Sequence, residues 1–289
     1  MNRRRRWLFG AGGLLLLVAF LLLQWWWAGD GPLPFLRRDR VWAQIQATRI
    51  WRVGLDPSFP PFEFLNDEGE PTGFDVDLAH AIGRVWEVDV EIVAVGFDSL
   101  IDALKAERID TVLSAYPIDE RLTQDILYAQ PYFDAGLRLV VRNDSPLAAE
   151  LPPGEPVEPE RLRGLTIAVE WGSEGDMVAR QWLREGTALT VRPFETPADG
   201  VAALELDATI DALLVDQVTF RQAEASGRPV RAAGAWLTSN PYAAIAPKRG
   251  DDLRNALDRA LAELAQTGEL QQLEEKWFSV NLPENGSPE

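Results

Sequence analysis

Trp51-Arg52-Val53-Gly54-Leu55-Asp56-Pro57-Ser58-Phe59-Pro60-Pro61-Phe62-Glu63-Phe64 is the stretch on which the fold turns. Its first five residues read as a short strand over 51–55. Pro57, Pro60 and Pro61 then end it in a loop, because a prolyl ring removes the N–H that a ladder needs. Residues 66–69, Asn-Asp-Glu-Gly, have the chemistry of a tight turn. Beyond it, Phe74, Leu78, Ile82 and Val85 recur at helical spacing and predict a helix over 75–85.

The same rhythm runs outward in both directions. Residues 40–48 read as a short helix leading into the first strand. Downstream come a strand over 90–95, a helix over 99–106 and strands over 111–114 and 137–141. A Pro-, Gly- and Glu-rich linker covers 143–160. The alternation then restarts, with strands over 165–169, 189–192 and 212–215 and helices over 176–184 and 199–206. A strand over 242–246 and one or two helices over 251–278, broken at Gly268, close the chain. Short strands alternating with helices predict an α/β fold. Two such units on one chain predict two lobes, with a cleft between them as the ligand site.

Composition narrows the chemistry. Of 289 residues, 46% are hydrophobic, enough for a substantial core. The formal net charge of -17 opposes sequence-independent nucleic-acid binding, which needs a basic footprint. With no cysteine, disulfide scaffolds, thiol nucleophiles and acylated lipoprotein anchors are excluded. A lone histidine, His80, excludes any site that needs two. No cofactor or metal site is implied.

Charge is also unevenly distributed. Residues 1–40 carry seven arginines against two aspartates, and the acidity lies beyond them. Arg3 to Arg6 precede an apolar run over 7–27 that ends in Trp25, Trp26 and Trp27. A basic flank followed by about 20 apolar residues predicts a membrane-crossing signal-anchor over 1–30. A cleaved signal peptide is the alternative, with Ala28 and Gly29 as the small pair. Residues 31–48 follow as linker and short helix, and everything after Gly29 is expected on the outer side of the membrane.

The quoted stretch resembles the opening of the bacterial extracellular solute-binding proteins of family three, which serve amino-acid ABC transporters. So do Gly73-Phe74-Asp75-Val76-Asp77-Leu78, Phe97-Asp98-Ser99-Leu100-Ile101-Asp102-Ala103-Leu104, Arg108-Ile109-Asp110, Asp119-Glu120-Arg121, Pro131-Tyr132-Phe133 and the closing Glu275-Lys276-Trp277-Phe278. The likeness runs in order over roughly 41–281. It implies a two-lobed periplasmic-binding-protein-like fold of type II, joined by two crossing segments. Lobe one is then 49–141 with a return over 238–283, lobe two is 142–237, and 284–289 is a disordered tail.

The resemblance also implies a site. A free amino acid is a zwitterion, and desolvating both charges is expensive unless each is paired. Arg121 aligns with the carboxylate-binding guanidinium and Asp216 with the ammonium-binding carboxylate. Phe59, Phe62 and Phe97 align with aromatic walls, joined by Trp171. Asp56 aligns with an acid that meets basic ligand side chains. Gly172, Ser173 and Glu174 form a loop at a helix start. There Glu174 departs from the family, which often carries Ser or Thr. Ser114, Ala115 and Tyr116 fall in a stretch one residue shorter than the family pattern. Asp75 and Asp77 are expected to cap the helix after Gly73.

The function implied is capture of an amino-acid-type zwitterion, in which a basic side chain is favoured, and delivery to an ABC transporter permease. The soluble part is expected to be a monomer, held at the membrane by the N-terminal helix. Two alternatives stay open. One is a lyase or dehydratase acting on a small carboxylic acid, with Glu170 and Glu174 as acid–base candidates. The other is a ligand-sensing module.

Overall fold

The computed structural model describes residues 39–278 together with the single position Phe20. Helix α1 (Arg40–Thr48) is capped by Asp39, whose Oδ1 accepts the Trp42 N–H at 3.0 Å. Its Oδ2 accepts the Leu253 N–H at 2.8 Å, which docks the chain start onto a late helix. There follow β1 (Ile50–Leu55), β2 (Ser58–Phe59), β3 (Glu63–Leu65), β4 (Pro71–Thr72), α2 (Phe74–Trp86), β5 (Asp89–Ala94), α3 (Leu100–Lys105) and β6 (Thr111–Val112). Next come β7 (Ile126–Asp134), β8 (Leu137–Arg142), α4 (Pro146–Glu150), β9 (Thr166–Glu170), α5 (Glu174–Arg184), β10 (Thr190–Phe194) and α6 (Pro197–Leu206). The chain continues through β11 (Ala212–Asp216), α7 (Gln217–Ala225), β12 (Val230–Ala233), β13 (Pro241–Pro247), α8 (Asp251–Thr267) and α9 (Glu269–Phe278).

Two five-stranded sheets organise these elements. The first has the order β5-β1-β6-β13-β7 and the second β10-β9-β11-β8-β12, with β2-β3-β4 as a small third sheet. In each large sheet four strands run one way and one runs against them, β13 in the first and β8 in the second. Strands β1 and β6 therefore end at one edge of the first sheet, and β9, β10 and β11 end at one edge of the second. Trp51, Val53, Phe62, Phe74, Leu78, Ile82, Leu257, Leu261 and Phe278 form the main core of the first lobe. Apolar clusters around Leu139, Val169 and Leu214 and around Val140, Ala168 and Leu213 cover the two faces of the second sheet.

The chain crosses between the sheets twice, at Ala135–Gly136 and between β12 and β13. The crossings lie side by side. The Leu137 N–H donates to Thr238 Oγ1 at 3.0 Å, the Leu237 N–H to the Leu137 carbonyl at 3.0 Å, and the Ala135 N–H to the Asn240 carbonyl at 3.0 Å. Gly136 allows this approach, since a Cβ there would stand 2.2 Å from the Thr238 carbonyl oxygen. The Arg138 guanidinium lies 4.4 Å from the Trp236 ring centroid and pins the second crossing to β8.

Three expectations are corrected. Residues 137–141 were assigned to the first lobe, but β8 pairs with β11 and β12 in the second sheet. The stretch 143–160 is more than a linker, because it holds α4 and buries Leu147, Ala148 and Leu151 in the second lobe. The membrane-crossing or signal helix expected over 1–30 falls on residues outside those described, apart from Phe20. Among the described residues no helix is long and apolar enough to cross a membrane. The longest, α8, has 17 residues and carries Asp251, Asp252, Arg254, Asp258, Arg259 and Glu263, whereas a span needs about 20 mainly apolar ones. Among the described residues the architecture is two lobes with no membrane-crossing helix, and the membrane contact expected through an N-terminal helix is not retained. The tail expected over 284–289 also lies outside the described residues.

Candidate functional site

On the first lobe the site grows from adjacent strand ends. β1 and β6 run parallel with Gly54 opposite Val112, which brings Asp56 and Ser114 together just past their ends. Ser114 Oγ accepts the Asp56 N–H at 3.0 Å and donates to Glu63 Oε1 at 2.7 Å. Asp56 Oδ2 accepts the Phe97 N–H at 2.8 Å, so the carboxylate is held at the sheet edge. Phe97 is half-exposed and stacks on Tyr116 at 4.9 Å. Burial raises the Tyr116 phenol above its ordinary pKa, which keeps it protonated. Phe59, also half-exposed, stacks on Phe62 at 5.6 Å with the rings 7° from parallel.

Several candidates on this lobe are internal. Phe62 is fully buried and meets Phe74, Phe133, Tyr242 and Phe278 edge to face, so it supports Phe59 from below. Ser114 is 1% exposed. The Ala115 N–H donates to Asp75 Oδ2 at 2.6 Å, and the shortened stretch turns there at φ 42. Arg121 behaves differently. It lies in a 3-10 turn capped by Asp119, and its side chain is 89% exposed. Nε and Nη2 grip Asp119 at 2.9 and 2.7 Å. That pairing lowers the Asp119 pKa and raises that of Arg121.

The aspartates expected to cap α2 do other work. Gly73 occupies the cap position, with no side-chain cap bond. Asp75 is fully buried and accepts the Tyr132 hydroxyl at 2.9 Å as well as the Ala115 N–H. Asp77 accepts Lys276 Nζ at 2.6 Å and Trp277 Nε1 at 2.8 Å, tying α2 to α9.

On the second lobe, β9 and β11 are parallel neighbours with Leu214 opposite Val169. Trp171 and Asp216 therefore leave the sheet at the same edge. Trp171 is 74% exposed. Gly172 turns at φ 76 and donates its N–H to Asp176 Oδ2 at 3.2 Å. Ser173 caps α5: its Oγ accepts the Asp176 N–H at 3.2 Å and donates to the Glu170 carbonyl at 2.8 Å. Glu174 is exposed in the first turn of α5. Asp216 caps α7, with Oδ1 accepting the Thr219 N–H and Oδ2 the Thr219 hydroxyl, both at 2.9 Å. Its charge also reaches the first lobe. The Tyr242 phenol on β13 is pushed up to about 12, by burial first and then by Asp216.

The structure thus joins Asp56, Phe97, Ser114 and Tyr116 into one patch and Trp171, Gly172, Ser173, Glu174 and Asp216 into another. Among the described residues no hydrogen bond or ion pair joins the two patches. The sequence reading gave no role to Glu63, Tyr132 or Tyr242. An acid set between Phe62 and Phe64 was the one available sign. Among the described residues no group of three or more His, Cys, Asp or Glu is set to hold a metal.

Comparison with known proteins agrees with this architecture. The L-cystine-binding protein TcyJ of Escherichia coli (strain K12) is 26% identical over 232 residues, which cover 80% of this chain and 83% of that one. The lysine/arginine/ornithine-binding periplasmic protein of the same strain is 27% identical over 240 residues, covering 80% and 88%. The crystal structure of the L-cystine solute receptor of Neisseria gonorrhoeae, in an unliganded open conformation, superposes with a TM-score of 0.71. It is 22% identical and covers 83% of this chain and 97% of its own, so it speaks for the fold alone. The family model of the bacterial extracellular solute-binding proteins, family 3, matches residues 51–280. These residues take in both sheets and both crossings, and the chain therefore belongs to that family and works on the extracytoplasmic side of the membrane.

Proposed function

We propose that the chain is a non-enzymatic receptor that closes its two lobes on a free α-amino acid with a basic side chain and passes it to an ABC transporter permease. The observation that carries this reading is the arrangement of charge at the two sheet edges. Asp56 is held at the end of β1 beside the half-exposed faces of Phe59 and Phe97, and Asp216 at the end of β11 beside Trp171. Two carboxylates among aromatic faces suit a dication, with one for the α-ammonium and one for the side chain. Arg121 supplies the matching charge for the ligand carboxylate. Asp119 occupies its Nε edge and leaves the Nη1 side for a second carboxylate. Further support comes from the relatives, which are named as binding proteins for L-cystine and for lysine, arginine and ornithine. Closure follows because the closed state makes more ligand contacts, so ligand shifts the population toward it.

The test is a thermal-shift screen with L-arginine, L-lysine, L-histidine, L-cystine and L-glutamate. A ligand present at a hundredfold excess over Kd stabilises by about 2.7 kcal/mol. Selective stabilisation by a basic amino acid is expected, lost in Arg121→Ala with the fold intact. Stabilisation by none of the probes, or unchanged affinity in Arg121→Ala, overturns the reading. So does turnover of a small carboxylic acid.

A further inference from the structure

Behind the lobe-one patch lies a polar cluster that ligand contact does not account for. Glu63 on β3 and Asp75 on α2 are 1% and 0% exposed, and the Asp75 N–H donates to the Phe62 carbonyl at 2.8 Å, which sets the two acids side by side. Glu63 Oε1 accepts the Ser114 hydroxyl, and Asp75 Oδ2 accepts the Ala115 N–H and the Tyr132 hydroxyl. The remaining oxygens, Glu63 Oε2 and Asp75 Oδ1, are buried and have no protein donor. The titratable groups that bear on the pair are Asp56 at the end of β1, Tyr132 on β7 and Tyr242 on β13, and none is a cation.

Two adjacent carboxylates buried without a cation cannot both stay ionised, since burial and like charge both oppose it. One proton between the two unpartnered oxygens gives a donor on one side and an acceptor on the other. The environments decide which residue carries it. Burial and the Asp75 charge drive the Glu63 carboxyl far above its ordinary pKa. Asp75 is raised less, because the Ala115 N–H, Glu63 and the Tyr132 hydroxyl all support its charge.

We propose that Glu63 and Asp75 hold one proton between Oε2 and Oδ1, and that the resulting monoanion positions the lobe-one half of the binding site. A protonated Glu63 donates to Asp75 and leaves Oε1 to accept from Ser114. The Ser114 hydrogen is then directed at Glu63, and its lone pair faces the Asp56 N–H. Asp56 in turn receives the Phe97 N–H. Every donor in this series has one acceptor, and the series ends on the carboxylate that, on the proposed function, meets the ligand's cation. Glu63 and Asp75 are positioning residues, since neither reaches the surface.

Two measurements on the full chain test this. In infrared spectra of the wild type, the C=O stretch of one protonated carboxyl is expected to persist at neutral pH, above the range where ordinary carboxyls ionise, and to vanish in Glu63→Gln. In calorimetric titration with L-arginine, Glu63→Ala is expected to weaken binding tenfold or more. Glu63→Gln, whose amide still donates to Asp75 and accepts from Ser114, is expected to recover most of that loss. Absence of the protonated-carboxyl band overturns the proposal. So does a folded Glu63→Gln that binds no better than Glu63→Ala. If the wild type binds no amino acid, the functional reading fails and the infrared result alone decides the shared proton. That result, read as a pH titration of the wild type, stands even if Glu63→Ala does not fold.

Discussion

Arg221 Nη1 lies 2.7 Å from Glu274 Oε2, an ion pair that joins α7 of the second lobe to α9 of the first. Val218, three residues before Arg221, packs against the core of the first lobe. The Gln217 N–H donates to the Gly136 carbonyl at 3.1 Å, between the crossings. The start of α7 is thus tethered beside the two crossings. Asp216 caps the same helix, so the candidate ammonium-binding carboxylate sits next to the crossings.

Loss of this ion pair is expected to alter motion more than stability. Partly exposed pairs contribute roughly 0.2–1 kcal/mol. Arg221→Ala should lower the unfolding free energy by no more than that in denaturant titration. Small-angle scattering of the unliganded protein should show a broader spread of lobe separations. An unchanged scattering profile would remove the tether from the account.

Two stacked rings should respond in opposite ways. Phe62→Ala opens a cavity at the centre of an aromatic cluster and is expected to cost about 3–5 kcal/mol in unfolding free energy. Phe59→Ala removes a half-exposed ring. It should leave stability nearly unchanged and weaken a basic amino acid by about 0.5–2 kcal/mol in calorimetry. A large stability loss in Phe59→Ala would place that ring in the core instead.

Asp216 combines a helix cap with a charge, and two substitutions separate them. Asp216→Asn keeps a capping oxygen and loses the charge. It should bind L-arginine at least tenfold more weakly while melting close to the wild type. Asp216→Ala should lose in addition about 1 kcal/mol of stability through the missing cap. Equal affinity in Asp216→Asn and the wild type would refute an ammonium contact.

The buried acids also set a pH trend. Glu63 and Asp75 both have folded-state pKa values raised by burial. The folded protein holds their protons more tightly than the unfolded chain does. Their contribution to stability is complete below the ordinary carboxylate range, near pH 4, and declines as pH rises through it toward the raised values. Asp207 acts in the opposite sense. Thr209 and Arg192 lower it to about 2, so its contribution is present above the ordinary value and lost as pH falls toward 2. Thermal melts across this range should therefore show a maximum on the acid side of neutrality, and Glu63→Gln should flatten the alkaline limb. An alkaline limb of unchanged slope in Glu63→Gln would contradict the raised Glu63 pKa.

Much of the architecture is legible residue by residue. The proline-ended strand at Trp51, the helical spacing of Phe74, Leu78 and Ile82, and the break at Gly268, which adopts φ 78 between α8 and α9, all depend on near neighbours in the chain. Strands β7 and β12 were harder to read. The first contains Pro131, and both lie at sheet edges, where patterning is weak.

What the sequence determined by itself is the alternation of elements, the two α/β units and the residue types available to hold a zwitterion, because these follow from short-range periodicity and side-chain chemistry. Only the tertiary structure assigned β8 to the second lobe, sank Phe62 and Ser114 below the surface and brought Glu63 against Asp75. Those outcomes rest on partners far away in the chain, and burial is a property of the packed whole, which no local pattern encodes.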